Sequence, residues 1–531
     1  MSASASSRRR GGVPREVHAL PRSTRAAGGG WVVFAAVLWL LSCAAPAGRA
    51  DVLAPADAPP PAPREFRAVW IASVANIDWP SRPGLSVGEL RAEMKTLLDT
   101  AVAVGLNAVI LQVRPAADAL YHSPFEPWSE YLTGRQGVAP RPRWDPLAFA
   151  VTEAHRRGLE LHAWFNPYRA KHSSAKTPLA ASHLATRRGR LVHRYGKQMW
   201  MDPGEPEVLA HTVRVVLDVV RRYDIDGVHL DDYFYPYPEK TRRGRPILFP
   251  DAGAYARYRA RGGALAKDDW RRANVDSLVR ALHDGIHRVK PWVKFGVSPF
   301  GIWRPGYPAG IRGFDAYAEL YADARTWARE GWVDYLSPQL YWPSGRPEQS
   351  YPDLLRWWGE QNARGRHLWP GNFTSRVGDG TRTAWSVSEI LSQVTMTRAE
   401  PMASGNIHFS MRAFLTDRDS VGTQLAVGPY ATPALIPASP WLSTPAMGAV
   451  RVDVASTSTG EPYARVQVDS LAPRWWVVQE REASGVWRTR IVPGGWREIP
   501  LTAQADRVAV RAIDRAGVER AVQSMRITAR P

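Results

Sequence analysis

Eight short apolar runs, alternating with segments of helical periodicity, predict an α/β fold of the (β/α)8 TIM-barrel class, followed by a small all-β sandwich. Three observations carry the prediction. The β-then-helix alternation recurs eight times within residues 64–425. No Gly-rich phosphate fingerprint follows the first run, which argues against a dinucleotide-binding sheet. Residues 447–531 change to closely spaced alternating runs separated by Gly, Pro, Ser and Asp, the pattern of a fibronectin- or immunoglobulin-like sandwich without its disulfide. A chain of 531 residues that is 45% hydrophobic buries a large core, which excludes wholesale disorder.

The strand-length runs are 65–73, 107–115, 159–167, 226–234, 293–301, 333–341, 366–373 and 405–414. Helix candidates lie between them at 87–105, 145–158, 206–224, 269–290, 351–365 and 386–400, with apolar residues at i, i+3, i+4 and i+7. Several begin with Asp or Pro and end at Gly, as helix termini prefer. Within the fourth strand, Val228 and Leu230 face the helices, so His229, Asp231 and Tyr233 point inward. The same phase turns inward Gln112 and Arg114, then His162, Trp164 and Asn166, then Ser298, and then Ser337, Gln339 and Tyr341. Polar and aromatic side chains therefore gather at the C-terminal rim, where this fold does its chemistry.

The N-terminus has its own pattern. Six arginines and one acid precede the uncharged run Trp31 to Ser42, too short to span a membrane and typical of an export signal. Leu40-Leu41-Ser42-Cys43 resembles a lipobox, which makes residues 1–42 a lipoprotein-type signal peptide and Cys43 the lipidated residue; an ordinary cut near Ala47 or Ala50 is the alternative. Cys43 is the single cysteine, so disulfide frameworks, iron–sulfur sites and thiolate zinc fingers are excluded. Residues 43–63 read as an Ala/Pro-rich tether, 64–425 as the barrel, 426–446 as a linker and 447–531 as the sandwich. The formal charge of +19 becomes +14 without residues 1–42, which suits an acidic envelope polymer or a lipid surface; export makes nucleic acid the poorest partner.

The segment Asp226 to Pro236, DGVHLDDYFYP, is the most informative. Asp231 and Asp232 at a strand end, framed by aromatics, suit polymer hydrolysis, in which one carboxyl donates a proton and another stabilises charge at the anomeric carbon; a helix cap or an ion pair with a rim arginine is the alternative. Arg114 and Arg169 are candidates to hold an anionic sugar substituent or, equally, to pair with rim carboxylates. Asn166 and Gln339 are placed to bond hydroxyls. Trp164, Tyr233, Tyr235, Trp303, Tyr341 and Trp342 are stacking platforms or core. No metal-ligand set and no cofactor motif stands out, so none is expected.

Taken together, REFRAVWIAS, LQVRPAADALY, AWFNPYR, DGVHLDDYFYP, GVSPFGIWR and SPQLYW, in that order over residues 64–425, resemble the glycosyl hydrolase-like 10 family. The resemblance implies a TIM-barrel glycosidase of the bacterial envelope, whose relatives are lipoproteins that cut peptidoglycan strands stripped of their stem peptides; a monomer anchored through Cys43 is expected. A non-catalytic glycan-binding lipoprotein and a glycosidase for exopolysaccharide or α-linked glucan are the competing readings. The fourth-strand motif is also similar to that of family 18 chitinases, with Asp226 and Asp231 matched, His229 in place of an aspartate and Tyr233 in place of the catalytic Glu. A donor would then come from Asp232, Asp118, Glu126 or Asp78, with Asp231 orienting an N-acetyl group. The resulting expected site is Asp231 and Asp232 as catalytic residues, with Arg114, Asp118, Trp164, Asn166, Arg169, Tyr233, Trp303, Gln339, Tyr341 and Trp342 holding substrate.

Overall fold

A computed structural model describes residues 58–469 and 471–527. Eight parallel strand segments form its centre: Phe66–Ile71, Ala108–Arg114, Glu160–Phe165, Gly227–Leu230, Lys294–Val297, Tyr335–Leu336, the broken pair His367–Leu368 and Gly371–Asn372, and Gly405–His408. The broken seventh segment closes the sheet. His367 and Leu368 pair with Tyr335 and Leu336 on one side, while Gly371 and Asn372 pair with Ile407 and His408 on the other. All eight expected strands are therefore present, in a TIM-barrel-like α/β domain.

The helices follow their sequence signals. Ser86 and Glu89 form a reciprocal capping box at the start of Val87–Val104, and Gly105 ends it in the left-handed conformation at φ 84°. Asp145 caps Pro146–Arg156 through the Leu147 and Ala148 amides. Pro206–Arg222 buries Val208, Val215, Val216 and Val219 along one stripe. Helices outside the candidates include Ala324–Glu330 and Val421–Val427, where seven residues are too few to repeat an apolar stripe.

Inside the barrel, small and large residues interdigitate. A Cβ at Gly227 would lie 2.6 Å from the His162 ring, and one at Gly296 would lie 2.1 Å from that of Tyr335, so glycine makes room for the rings that fill the axis. The second strand shifts register between Gln112 and Arg114: Gln112 lies opposite Trp164 and Arg114 opposite Phe165. This bulge reverses the expected phase after Gln112. Gln112 stays inside; Arg114 turns out toward the helices.

After the barrel, residues 450–526 form two antiparallel sheets, one of Val450–Ser456, Pro462–Val468 and Glu498–Pro500, the other in the order Trp487–Pro493, Trp475–Glu482, Ala505–Ile513, Glu519–Arg526. Val452, Val466, Trp476, Val478, Val508 and Val510 fill the space between them. The opposite face of the four-stranded sheet, with Trp475, Val477 and Ile513, packs on Leu435 of the linker. Asp226 at the base of the fourth barrel strand accepts from Arg474 (2.8 Å) and His155 (2.9 Å), so the two regions are joined by a buried ion pair. Residues 426–446 are accordingly a packed connector: Leu435 pairs with Arg64, and Trp441 donates to Asp334 (2.8 Å). Cys43, the signal segment and most of the tether lie outside the described residues.

Candidate active site

All eight strand units contribute to one cavity of about 330 Å³ at the C-terminal ends of the strands. Its walls come from Trp70 and Ala72, Gln112, Trp164 with Arg169 and His172, His229 with Asp231 to Tyr233 and Tyr237, Ser298 and Phe300, Gln339 and Tyr341, Phe373, and Phe409. A larger cleft of about 690 Å³ opens between the barrel base and the C-terminal sheets, but its carboxylates Asp224 and Asp514 are already ion-paired with Arg515 and Arg520. The smaller cavity holds Asp231 and Asp232, neither of which forms an ion pair among the described residues, and is therefore the candidate active site.

Asp231 is 4% exposed and is held by neutral donors alone: Trp164 Nε1 at 3.0 Å and Asn166 Nδ2 at 3.1 Å to each oxygen. Burial pushes its pKa up to about 7, Arg169 opposes the rise, and neighbouring Asp232 adds to it. Burial likewise raises Asp232, which accepts from Tyr237 OH and from the Gln339 side chain. Two adjacent buried carboxyls cannot both ionise cheaply, so near neutrality the pair retains a proton. That is the requirement for general-acid catalysis.

A hydrogen-bonded column supports the floor. Trp70 Nε1 donates to His229 Nε2 (3.0 Å), His229 Nδ1 lies 3.0 Å from Tyr335 OH, that hydroxyl lies 2.9 Å from His162 Nδ1, and His162 Nε2 lies 3.1 Å from Glu160. Because the indole N–H only donates, the direction of every link follows: His229 carries its proton on Nδ1, Tyr335 donates to His162, and His162 donates from Nε2. Lys294 closes the column by donating to Glu160 at 2.8 Å. Burial keeps the His229 pKa well below its ordinary value, so the ring is neutral beneath the carboxyl pair. This accounts for a histidine at a position where the chitinase-like pattern has an aspartate.

Of the residues expected from sequence, Asp231, Asp232, Trp164, Arg169, Tyr233, Gln339 and Tyr341 line the cavity, and Asn166 sits directly behind Asp231. Arg114 does not. It is fully buried with its phase reversed by the bulge, bonded to Glu126 (2.8 and 2.5 Å) and to the Asn166 carbonyl (2.6 Å). Glu126, also held by His211 at 2.9 Å, is kept far below the usual carboxylate range despite burial and offers no proton. Asp118 accepts from the Ala116 amide and Gln136 inside its own loop, and Asp78 clasps the loop after the first strand to Ser410 and Arg412; neither lines the cavity. Trp303 lies among the outer helices, stacked on Trp357 at 5.8 Å and donating to Asp323. Trp342 stands behind Phe300, ring to ring at 5.6 Å, and Tyr235 is core, 1% exposed. Trp70, His172, Tyr237, Phe300, Phe373 and Phe409 are cavity residues that the sequence reading missed; extending the alternation to the first strand finds Trp70, whereas the others lie on loops or just past strand ends.

Fold and site together define a barrel glycoside hydrolase. The chain matches the family described as glycosyl hydrolase-like 10 over residues 65–385. Glycosyl hydrolase YngK of Bacillus subtilis (strain 168) is 43% identical over 398 residues, covering 72% of this chain and 75% of that protein. Glycosyl hydrolase DigH of Escherichia coli (strain K12) is 35% identical over 412 residues, 71% of this chain and 91% of that one. This protein therefore belongs to the glycosyl hydrolase-like 10 family. Among solved structures, the glycoside hydrolase domain of PgaB from Bordetella bronchiseptica aligns at a TM-score of 0.43 and 14% identity, covering 69% of this chain and 99% of that domain.

Proposed function

We propose that this enzyme hydrolyses an acidic glycan of the bacterial envelope, with peptide-free peptidoglycan strands as the substrate, and that Asp231 is the proton donor. A carboxyl with a pKa of about 7 at the cavity wall carries the assignment: it is protonated in a large fraction of molecules at neutral pH and gives its proton to the glycosidic oxygen as the bond breaks. Asp232, bonded by Tyr237, is the partner carboxylate that stabilises the positive charge developing at the anomeric carbon. Trp70, Tyr341, Phe373 and Phe409 supply flat faces for pyranose rings. Gln112 Nε2 and Ser298 Oγ, which have no partner among the described residues, supply hydrogen bonds.

Arg169 supports an acidic substrate. Its Nε donates to the Pro115 carbonyl (3.0 Å), its guanidinium lies 4.9 Å from the Tyr233 ring centre, and no described carboxylate forms an ion pair with it. It is 2% exposed and borders the cavity, so a sugar carboxylate such as the lactyl group of muramic acid gives the guanidinium a counter-ion. The basic leader, the apolar run and Cys43 support an exported, lipid-anchored protein at the cell envelope. The C-terminal strand order, three strands against four, supports a fibronectin-like sandwich.

The test is incubation of the purified chain with peptide-free glycan strands, with mass spectrometry of the products and a neutral α-glucan in parallel. Shorter oligosaccharides from the acidic strands alone are expected. Full hydrolysis by folded Asp231→Asn and Asp232→Asn variants would refute the catalytic assignment, and equal cleavage of the neutral glucan would refute the substrate. Labelling with a palmitate analogue, lost in Cys43→Ala, tests the anchor.

A further inference from the structure

At the base of the barrel, opposite the cavity, two histidines one helical turn apart face a buried carboxylate. His283 and His287 lie in the last turns of the helix Lys267–Val289, with ring centres 4.5 Å apart. Asp334 immediately precedes the sixth strand and is completely buried. One nitrogen of each ring and one Asp334 oxygen all lie within 4.8 Å of one another. We propose that His283, His287 and Asp334 form a binding site for a divalent transition-metal ion of the zinc type.

The donor set selects the metal. Two imidazole nitrogens and one carboxylate oxygen suit zinc, with solvent as the fourth ligand because both histidines remain partly exposed; calcium and magnesium require more oxygens than the cluster offers. The surroundings already orient the donors as metal sites require. Asp284, half exposed, accepts from His283 Nδ1 at 3.1 Å, which places the ring proton on Nδ1 and frees the Nε2 lone pair. The Phe295 amide (2.7 Å) and Trp441 Nε1 (2.8 Å) bond the two Asp334 oxygens and fix that carboxylate in place. His287 Nε2 lies 2.9 Å from Asp334 Oδ2, and binding replaces that hydrogen bond by two metal–ligand bonds as the ring proton moves to Nδ1 or leaves. An ion here ties the helix Lys267–Val289 to the sixth strand and, through Trp441, to the connector that carries the C-terminal sheets.

The full chain, freed of metal by a chelator, is titrated with zinc chloride by calorimetry, and with cobalt chloride for the visible absorption of tetrahedral cobalt. One zinc per chain, tetrahedral cobalt absorption and a raised melting temperature are expected. His283→Gln leaves the His287–Asp334 hydrogen bond intact, so it folds; it should weaken zinc by more than about a hundredfold, beyond what loss of an outer-shell contact produces. His122→Gln, at an exposed histidine elsewhere, should bind like the parent. Absence of saturable zinc binding, or equal affinity in His283→Gln and the parent, overturns the proposal.

Discussion

Asp226 and Asp231 flank the same strand segment, Gly227–Leu230, both nearly inaccessible, and their acidities move in opposite directions. Burial disfavours ionisation of each. At the base, Arg474 and His155 more than offset burial, and Asp226 stays ionised well below the usual carboxylate range. At the rim, Trp164 and Asn166 offer only neutral hydrogen bonds, and Asp231 rises to about 7. Depth is the same; the partner decides. The base spends its carboxylates on holding helices and the C-terminal sheets together, as do Glu160 with Lys294 and Glu65 with Arg67 and Arg398. The rim leaves its carboxyls without an ion pair among the described residues, Arg169 acting on them only at a distance, and an acid whose burial is not offset is the one able to move a proton.

Replacing the rim carboxyl should give the largest effect. Asp231→Asn is expected to lower kcat by about 10²–10⁴-fold, the range for loss of a general acid, without lowering the melting temperature. A carboxyl whose folded pKa is raised costs stability above its unfolded value, so Asp231 destabilises increasingly from about pH 4 to pH 7, and the amide removes that cost. In the parent enzyme the same group makes kcat/KM fall as pH rises through about 7, and that limb should vanish in the variant. A lowered melting temperature with full activity would reverse the assigned roles of the two aspartates.

The mirror experiment is Asp226→Asn. It leaves Arg474 buried without its counter-charge, which costs about 3–5 kcal/mol in denaturant unfolding, while activity per folded molecule is retained. The sign with pH is also opposite: a depressed carboxyl stabilises above its unfolded pKa, so this contribution is lost as pH falls below about 4. Arg169→Gln tests the cation that borders the cavity. KM for an acidic glycan should rise about 10-fold or more, the value of a charge-assisted hydrogen bond, with a neutral glycan unaffected. The smallest change is Trp164→Phe, which removes one hydrogen bond to Asp231 and is expected to cost about 1 kcal/mol of transition-state stabilisation, read as a severalfold loss in kcat and a further rise of the basic limb.

Much of this site is legible in the sequence because strand alternation is a local rule. It places His229 and Asp231 inward, and Gln339 and Tyr341 beyond the sixth strand, without any knowledge of what they meet. Where one extra residue enters a strand the rule fails, and Arg114 shows the result: the same residue type as Arg169, expected in the same role, ends up behind the barrel wall in a buried pair with Glu126. Trp303 fails for a different reason, since it follows the strand end on a loop whose path onto the outer helices has no periodicity to read. His283 and His287 show the converse. Their i, i+4 spacing is visible in the sequence, but a helix pair gains meaning only when the third donor is known, and Asp334 lies 47 residues away.

By itself the sequence determined the (β/α)8 order, the change to an all-β region, the family, and the inward phase of the fourth strand, because each follows from periodicity or from motifs contiguous along the chain. Tertiary structure alone decided which of the buried acids are paired and which are not, since that depends on cations such as Arg474, brought to Asp226 from 248 residues away, and on neutral donors alone bonding Asp231, with Arg169 too distant to offset burial. Charge compensation acts through space and leaves no trace in the local pattern; for these two aspartates it separates a structural carboxylate from a proton donor.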